Sequence, residues 1–134
     1  MDNRILVVDD DPEVRKLLGH CLRGGGYTAV TAPSAEEALD LFGDDPMELV
    51  IADVVLPGMQ GLELTGVIKE RHDADVIVMT GYAGDYSYEE AIQKGASDFI
   101  FKPIRPEELL LRVKRVIKER RARQRQVRML HRLQ

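Results

Sequence analysis

The chain has 134 residues, 44% of them hydrophobic, enough for one domain with its own core and a short extension but too few for two domains of ordinary size. A single cysteine, Cys21, excludes an internal disulfide, and no apolar run approaches the roughly 20 residues that cross a bilayer; a soluble, cytoplasmic protein is expected. The net charge of −4 conceals an asymmetry: residues 1–111 carry 9 Lys and Arg against 22 Asp and Glu, whereas residues 112–134 carry 10 against 1.

Arg4 to Val8 is a short apolar run without alternation, as in a strand covered on both faces, and it ends abruptly at Asp9-Asp10-Asp11. Pro12 opens a helix whose Val14, Leu17, Leu18, Cys21 and Leu22 recur at helical spacing until Gly24-Gly25-Gly26; Asp11 is its expected cap and Cys21 a packing residue. Tyr27 to Thr31 reads as a second strand, and Ser34 with Glu37 forms a capping box ahead of Ala38, Leu39, Leu41 and Phe42, closed by Gly43 and Pro46. Leu49 to Ala52 is a third strand ending at Asp53, followed by the turn Pro57-Gly58 and a helix carrying Leu62, Leu64, Val67 and Ile68. A fourth strand, Val76 to Met79, ends at Thr80-Gly81, and Tyr88 to Lys94 is a polar helix stopped by Gly95. Phe99 to Phe101 is a fifth strand ending at Lys102-Pro103, and Pro106 opens the last helix, with Leu109, Leu110, Val113, Val116 and Ile117 as its apolar face.

Five alternating strand and helix units predict an α/β fold, a parallel sheet with helices on both sides, in which ligands bind outside the carboxyl ends of the strands. Those ends carry Asp9 and Asp10, Asp53, Thr80 and Lys102, residues far apart in sequence that such a sheet gathers on one edge. Clustered carboxylates repel one another and suit a hard cation such as Mg²⁺. A hydroxyl and an ammonium beside them suit phosphoryl oxygens.

At this point Ile5-Leu6-Val7-Val8-Asp9-Asp10, Ala52-Asp53 with Leu56-Pro57-Gly58-Met59 and Gly61, Met79-Thr80-Gly81 and Phe101-Lys102-Pro103, taken in order, resemble the receiver domains of bacterial two-component response regulators. The likeness covers residues 4 to about 118 and implies a doubly wound, five-stranded, flavodoxin-like parallel sheet flanked by five helices, in strand order 2-1-3-4-5. It divides the chain into a receiver domain at 1–118 and a basic helical extension at 119–134.

The resemblance further implies that Asp53 accepts a phosphoryl group from a sensor histidine kinase or phosphotransfer protein. Mg²⁺, or Mn²⁺ in its place, would be held by Asp10, Asp53 and the backbone carbonyl of Val55, with Asp9 assisting. Thr80 and Lys102 would bind the phosphoryl oxygens, and movement of Thr80 would let Phe99 rotate inward as the switch. Phe99 lacks the hydroxyl of the tyrosine that many members carry there, which weakens that part of the analogy. Lys102-Pro103 is expected to be a cis peptide. Val55 and Tyr82 occupy positions that influence phosphoryl hydrolysis, and their chemistry suggests a long-lived phosphoaspartate. The domain would be a regulatory switch rather than an enzyme acting on other substrates.

Three other functions compete. A haloacid-dehalogenase-type phosphatase expects a second acid two residues after the nucleophile, where Val55 stands; a flavodoxin-like electron carrier needs a hydroxyl- and glycine-rich loop where three aspartates lie. An interaction module without phosphorylation has no need of the complete set. His20, His72 and His131 lack metal-ligand spacing. The basic tail reads as a solvated helix, as a linker that dimerises as a coiled coil, or as a site of nucleic-acid attraction without specificity; no membrane or sequence-specific nucleic-acid partner is expected.

Overall fold

The computed structural model describes residues 3–43, 46–81 and 88–133. Its elements, in chain order, are β1 (Arg4–Val8), α1 (Pro12–Gly24), β2 (Thr28–Ala32), α2 (Ala35–Leu41), β3 (Leu49–Asp53), α3 (Gly61–Arg71), β4 (Asp75–Thr80), α4 (Tyr88–Gln93), β5 (Asp98–Phe101) and α5 (Pro106–Arg132). All four strand pairings are parallel and the order is β2-β1-β3-β4-β5, the doubly wound arrangement expected. Individual strands begin or end one residue away from the positions read from the sequence, because the ladder and not hydropathy alone sets their limits.

The sheet is covered on both sides. Ile5, Val7, Ile51, Ile77, Met79 and Ile100 point toward α1 and α5, where they meet Leu18, Leu22, Leu109 and Val113. Leu6, Val8, Val50, Ala52, Val76 and Val78 point the other way, against Ala35, Ala38, Leu64, Ile68 and Ala91 of α2, α3 and α4. Each fully buried Leu or Ile contributes roughly 1.5–3 kcal/mol, so the continuous apolar strands are both the signal in the sequence and the main source of stability.

The helix starts follow their caps. Asp11 accepts a hydrogen bond from the Glu13 amide at 2.9 Å, and Ser34 accepts one from the Glu37 amide at 3.2 Å. Cys21 is half-buried and packs beside the α1/α5 core. Phe42 and His72 stack with ring centroids 4.3 Å apart.

α5 is continuous across residue 118, and its basic segment is not solvated throughout. Arg120 is 6% exposed and donates to the Asp73 carbonyl at 2.8 Å and to Asp75 at 3.4 Å. Arg121 reaches Asn3 at 2.6 Å and Glu48 at 2.8 Å, and Arg123 reaches Asp75 at 2.7 Å. Three arginines thus tie the helix to the amino-terminal edge of the sheet, and full solvation begins only at Arg125. Beyond it Val127, Met129, Leu130 and Leu133 are exposed.

Candidate functional site

Parallel register aligns the strand ends: Val8 pairs with Ala52, Asp53 with Met79, and Thr80 with Phe101. The chain leaving β1 and β3 therefore delivers Asp9, Asp10 and Asp53 to one edge, where each offers an oxygen within 4.8 Å of the others. Asp9 is fully buried and Asp53 is 7% exposed, whereas Asp10 faces solvent.

Lys102, just beyond β5, enters this cluster as a bridge. Its Nζ donates to Asp9 Oδ2 at 2.8 Å and to Asp53 Oδ2 at 2.6 Å. The other oxygens of these two acids accept backbone amides, Asp9 Oδ1 from Asp11 at 2.9 Å and Asp53 Oδ1 from Val55 at 3.0 Å. The Lys102–Pro103 peptide is cis, and the Lys102 amide donates to the Thr80 carbonyl at 2.8 Å.

Burial pushes the Asp53 carboxyl above its ordinary range, and the Lys102 and Val55 hydrogen bonds pull it back only in part. Burial works against the Lys102 ammonium as well, but its hydrogen bonds to Asp53 and Asp9 outweigh that and hold it above its ordinary value. One ammonium bridges two of the three carboxylates, so the cluster retains excess negative charge. Its all-oxygen donor set fits a hard divalent cation such as Mg²⁺ or Mn²⁺.

The remaining expected residues are placed less centrally. Thr80 is 1% exposed at the end of β4. The Val55 side chain is 54% exposed, and its amide, on the Asp53 carboxylate, is the contact it makes with the cluster. Phe99 lies two residues before the end of β5, opposite Val78, and its ring is already buried, edge-on to Phe101 at 5.2 Å and to Tyr88 at 6.3 Å. Tyr82 lies outside the described residues.

Four supporting residues were not given roles from the sequence. Gly61 opens α3 so close to β3 that a Cβ would collide with the carbonyl of Asp53. The Gln60 side-chain Nε2 donates to the Leu56 carbonyl at 2.8 Å, and Glu36 of α2 accepts the Met59 backbone amide at 3.0 Å, so both brace the loop after Asp53. That amide holds the exposed Glu36 carboxyl below its ordinary range. Arg15 of α1 donates to the Asp9 carbonyl at 2.7 Å. Only Gly61 had a signal, its position just after a Pro-Gly turn; Gln60, Glu36 and Arg15 each bond a backbone group, which side-chain pattern does not encode.

Comparison with known proteins agrees with this geometry. The chain is 38% identical over 120 residues to the transcriptional regulatory protein AruR of Pseudomonas aeruginosa, covering 86% of this chain and 49% of AruR. It is 36% identical over 114 residues to the regulatory protein VanR of Enterococcus faecium, covering 85% and 49%. It therefore spans about half the length of these curated relatives. Among solved structures, a CheY-like response regulator receiver domain protein from Methanospirillum hungatei JF-1 superposes with a TM-score of 0.83 at 31% identity, covering 92% of this chain and 99% of that one. Residues 5–114 match the response regulator receiver domain model, and with the doubly wound sheet and its acidic edge already in place, this chain belongs to that family.

Proposed function

We propose that this chain is a phosphoacceptor switch: Asp53 takes a phosphoryl group from a histidine kinase or phosphotransfer protein in a Mg²⁺-dependent reaction, and the altered site changes the surface presented to an output. The observation that carries this reading is Lys102 bridging Asp9 and Asp53 beside a solvent-facing Asp10. A cluster that merely stabilised the fold would not leave a third carboxylate unpaired beside two that share one ammonium.

Asp9, Asp10, Asp53 and the Val55 carbonyl would hold the metal, which when bound supplies charge neutralisation around the transferring group. Asp53 is the nucleophile. One of its oxygens forms the new P–O bond as the P–N bond of the donor phosphohistidine breaks, and the electron pair leaves with the imidazole. Lys102 releases the Asp53 carboxylate and pairs with the phosphoryl oxygens, and the Thr80 hydroxyl donates to the same group. Thr80 and Phe99 are the proposed switch residues. Because Phe99 is already inward, phosphorylation would hold this packing in place instead of creating it.

Residues 1–118 carry the switch in this reading and 119–134 form its helical extension. The exposed Val127, Met129, Leu130 and Leu133 favour a homodimer through α5 or that extension, which sedimentation before and after phosphorylation tests. The apolar, exposed Val55 offers no hydrogen bond to an attacking water and supports a long-lived phosphoaspartate; phosphate release within seconds would refute that point. In this reading the activity is regulatory, and a histidine-kinase donor implies a cytoplasmic protein.

Intact-protein mass after incubation with acetyl phosphate tests the central claim. A gain of roughly 80 Da that requires both Mg²⁺ and Asp53, and is absent in Asp53→Asn, is the expected result. Equal mass with and without Mg²⁺ in a folded protein, using either acetyl phosphate or a phosphorylated donor, would overturn it.

A further inference from the structure

Of the three carboxylates, Asp10 is the one that no neighbour holds. Asp9 is fixed by Lys102 and the Asp11 amide, and Asp53 by Lys102 and the Val55 amide. The exposed Asp10 carboxylate has no hydrogen-bond partner among the described residues, so its position is set only by the backbone that bears it.

That backbone is gripped from one side by α1. The Asp9 carbonyl and the Asp10 amide belong to a single planar peptide group, so a donor on that carbonyl fixes the plane from which Asp10 departs. Arg15 supplies the donor at 2.7 Å, from the first turn of α1, while the Asp9 amide is held at 3.2 Å by the Ala32 carbonyl of β2. The guanidinium is half-buried and its other expected task, pairing with a carboxylate, is not what it does here.

We propose that Arg15 is a positioning residue of the metal centre, acting through the Asp9–Asp10 peptide to hold the Asp10 carboxylate where a divalent cation needs it. The inference rests on the metal-dependent reading of the site and adds to it the residue that prepares the unsupported ligand. Partners of metal ligands typically matter about 10–100-fold in affinity, because a ligand that must be ordered on binding loses part of its interaction to entropy.

The sign of the effect separates this role from simple electrostatics. Removing a positive charge near a cation site strengthens cation binding by Coulomb attraction alone, whereas losing the grip on the peptide weakens it. Mg²⁺ affinity of the whole chain is measured by calorimetric titration and, independently, from the Mg²⁺ concentration that raises the melting temperature. Arg15→Met, which keeps the alkyl stem, is expected to bind Mg²⁺ about 10-fold more weakly. Arg15→Lys, which keeps the charge and one donor, is expected to recover part of the loss, and amide exchange at Asp10 and Asp11 in EDTA is expected to quicken in Arg15→Met.

Cooperative urea unfolding in EDTA checks that each variant folds; if Arg15→Met does not, the neutral Arg15→Gln takes its place with the same expected sign. Equal or tighter Mg²⁺ binding in the neutral variant overturns the positioning role while leaving the metal site standing. Absence of Mg²⁺ binding in the unmodified chain refutes the metal reading itself, and the role of Arg15 falls with it.

Discussion

Asp75→Ala is the substitution whose cost follows most directly from the packing. Asp75 opens β4 with its side chain 3% exposed, and it receives Arg123 at 2.7 Å, Arg120 at 3.4 Å and Lys69 at 3.5 Å. Deleting the carboxylate leaves three cations converging on one point. Lys69 and Arg123, with side chains 36% and 54% exposed, can turn to water. Arg120, at 7%, cannot, and the acid left to it is Asp73, which is 91% exposed. Breaking a buried pair from one side costs roughly 3–5 kcal/mol; with two of the three cations free to rehydrate, the low end applies, about 3 kcal/mol. For a domain of this size that lowers the melting temperature by on the order of 10 °C. Urea unfolding at 25 °C, monitored by circular dichroism, gives the value directly. Adding Arg120→Met to Asp75→Ala should restore most of the loss, since the stranded charge is then gone. A loss under about 1 kcal/mol in the single variant, or no recovery in the double, would refute the claim that this cluster anchors α5.

Gly61→Ala sets a methyl group against the Asp53 backbone, which cannot yield; it should cost about 1–3 kcal/mol by urea unfolding and slow acetyl-phosphate labelling of Asp53 by about 10²-fold, and normal labelling would show that the loop accommodates the methyl. Glu36 is held below its ordinary range by the Met59 amide, so its contribution is present above the unfolded carboxylate pKa and is lost as pH falls through the lower folded value. Glu36→Gln should therefore be less stable than the parent above the unfolded carboxylate pKa and converge with it as pH falls through the lowered folded value, and a difference independent of pH would refute the assignment. Asp53 has the opposite sign: its raised pKa penalises the ionised fold above the unfolded value. Metal-free Asp53→Asn should then melt no lower than the parent at pH 7, its advantage fading as pH falls through the raised folded pKa and gone below the unfolded one. A lower melting temperature would show that the Lys102 bridge outweighs the cost of burying the Asp53 carboxylate.

The parts of this fold that could be read in the sequence are those governed by local pattern. Uninterrupted runs such as Leu6-Val7-Val8 and Val50-Ile51-Ala52 announce strands buried on both faces, and a parallel sheet then obliges their ends to meet, which gathers Asp9, Asp10, Asp53 and Lys102 on one edge. Contacts between elements were not legible. Arg120, Arg121 and Arg123 read as a charged run, because nothing local reveals that Asp73, Asp75, Glu48 and Asn3 lie within their reach. Arg15, Gln60 and Glu36 were silent for the same reason: each acts on a backbone group, and any residue type can supply one. Phe99 stands between these cases, its position clear from the strand pattern but its inward packing dependent on Phe101 and Tyr88.

The unbroken course of α5 also makes it a protractor. Twenty-seven residues in one helix span about 40 Å, and with Arg120, Arg121 and Arg123 anchored, the azimuth of everything after them is set by counting residues. Any segment attached in helical continuity beyond Arg132 turns by about 100° for each residue inserted after Arg125, and returns to within about 20° of its original bearing after seven. An output fused there would feel one inserted residue far more than a whole heptad, so the length of the connection, more than its composition, carries the information.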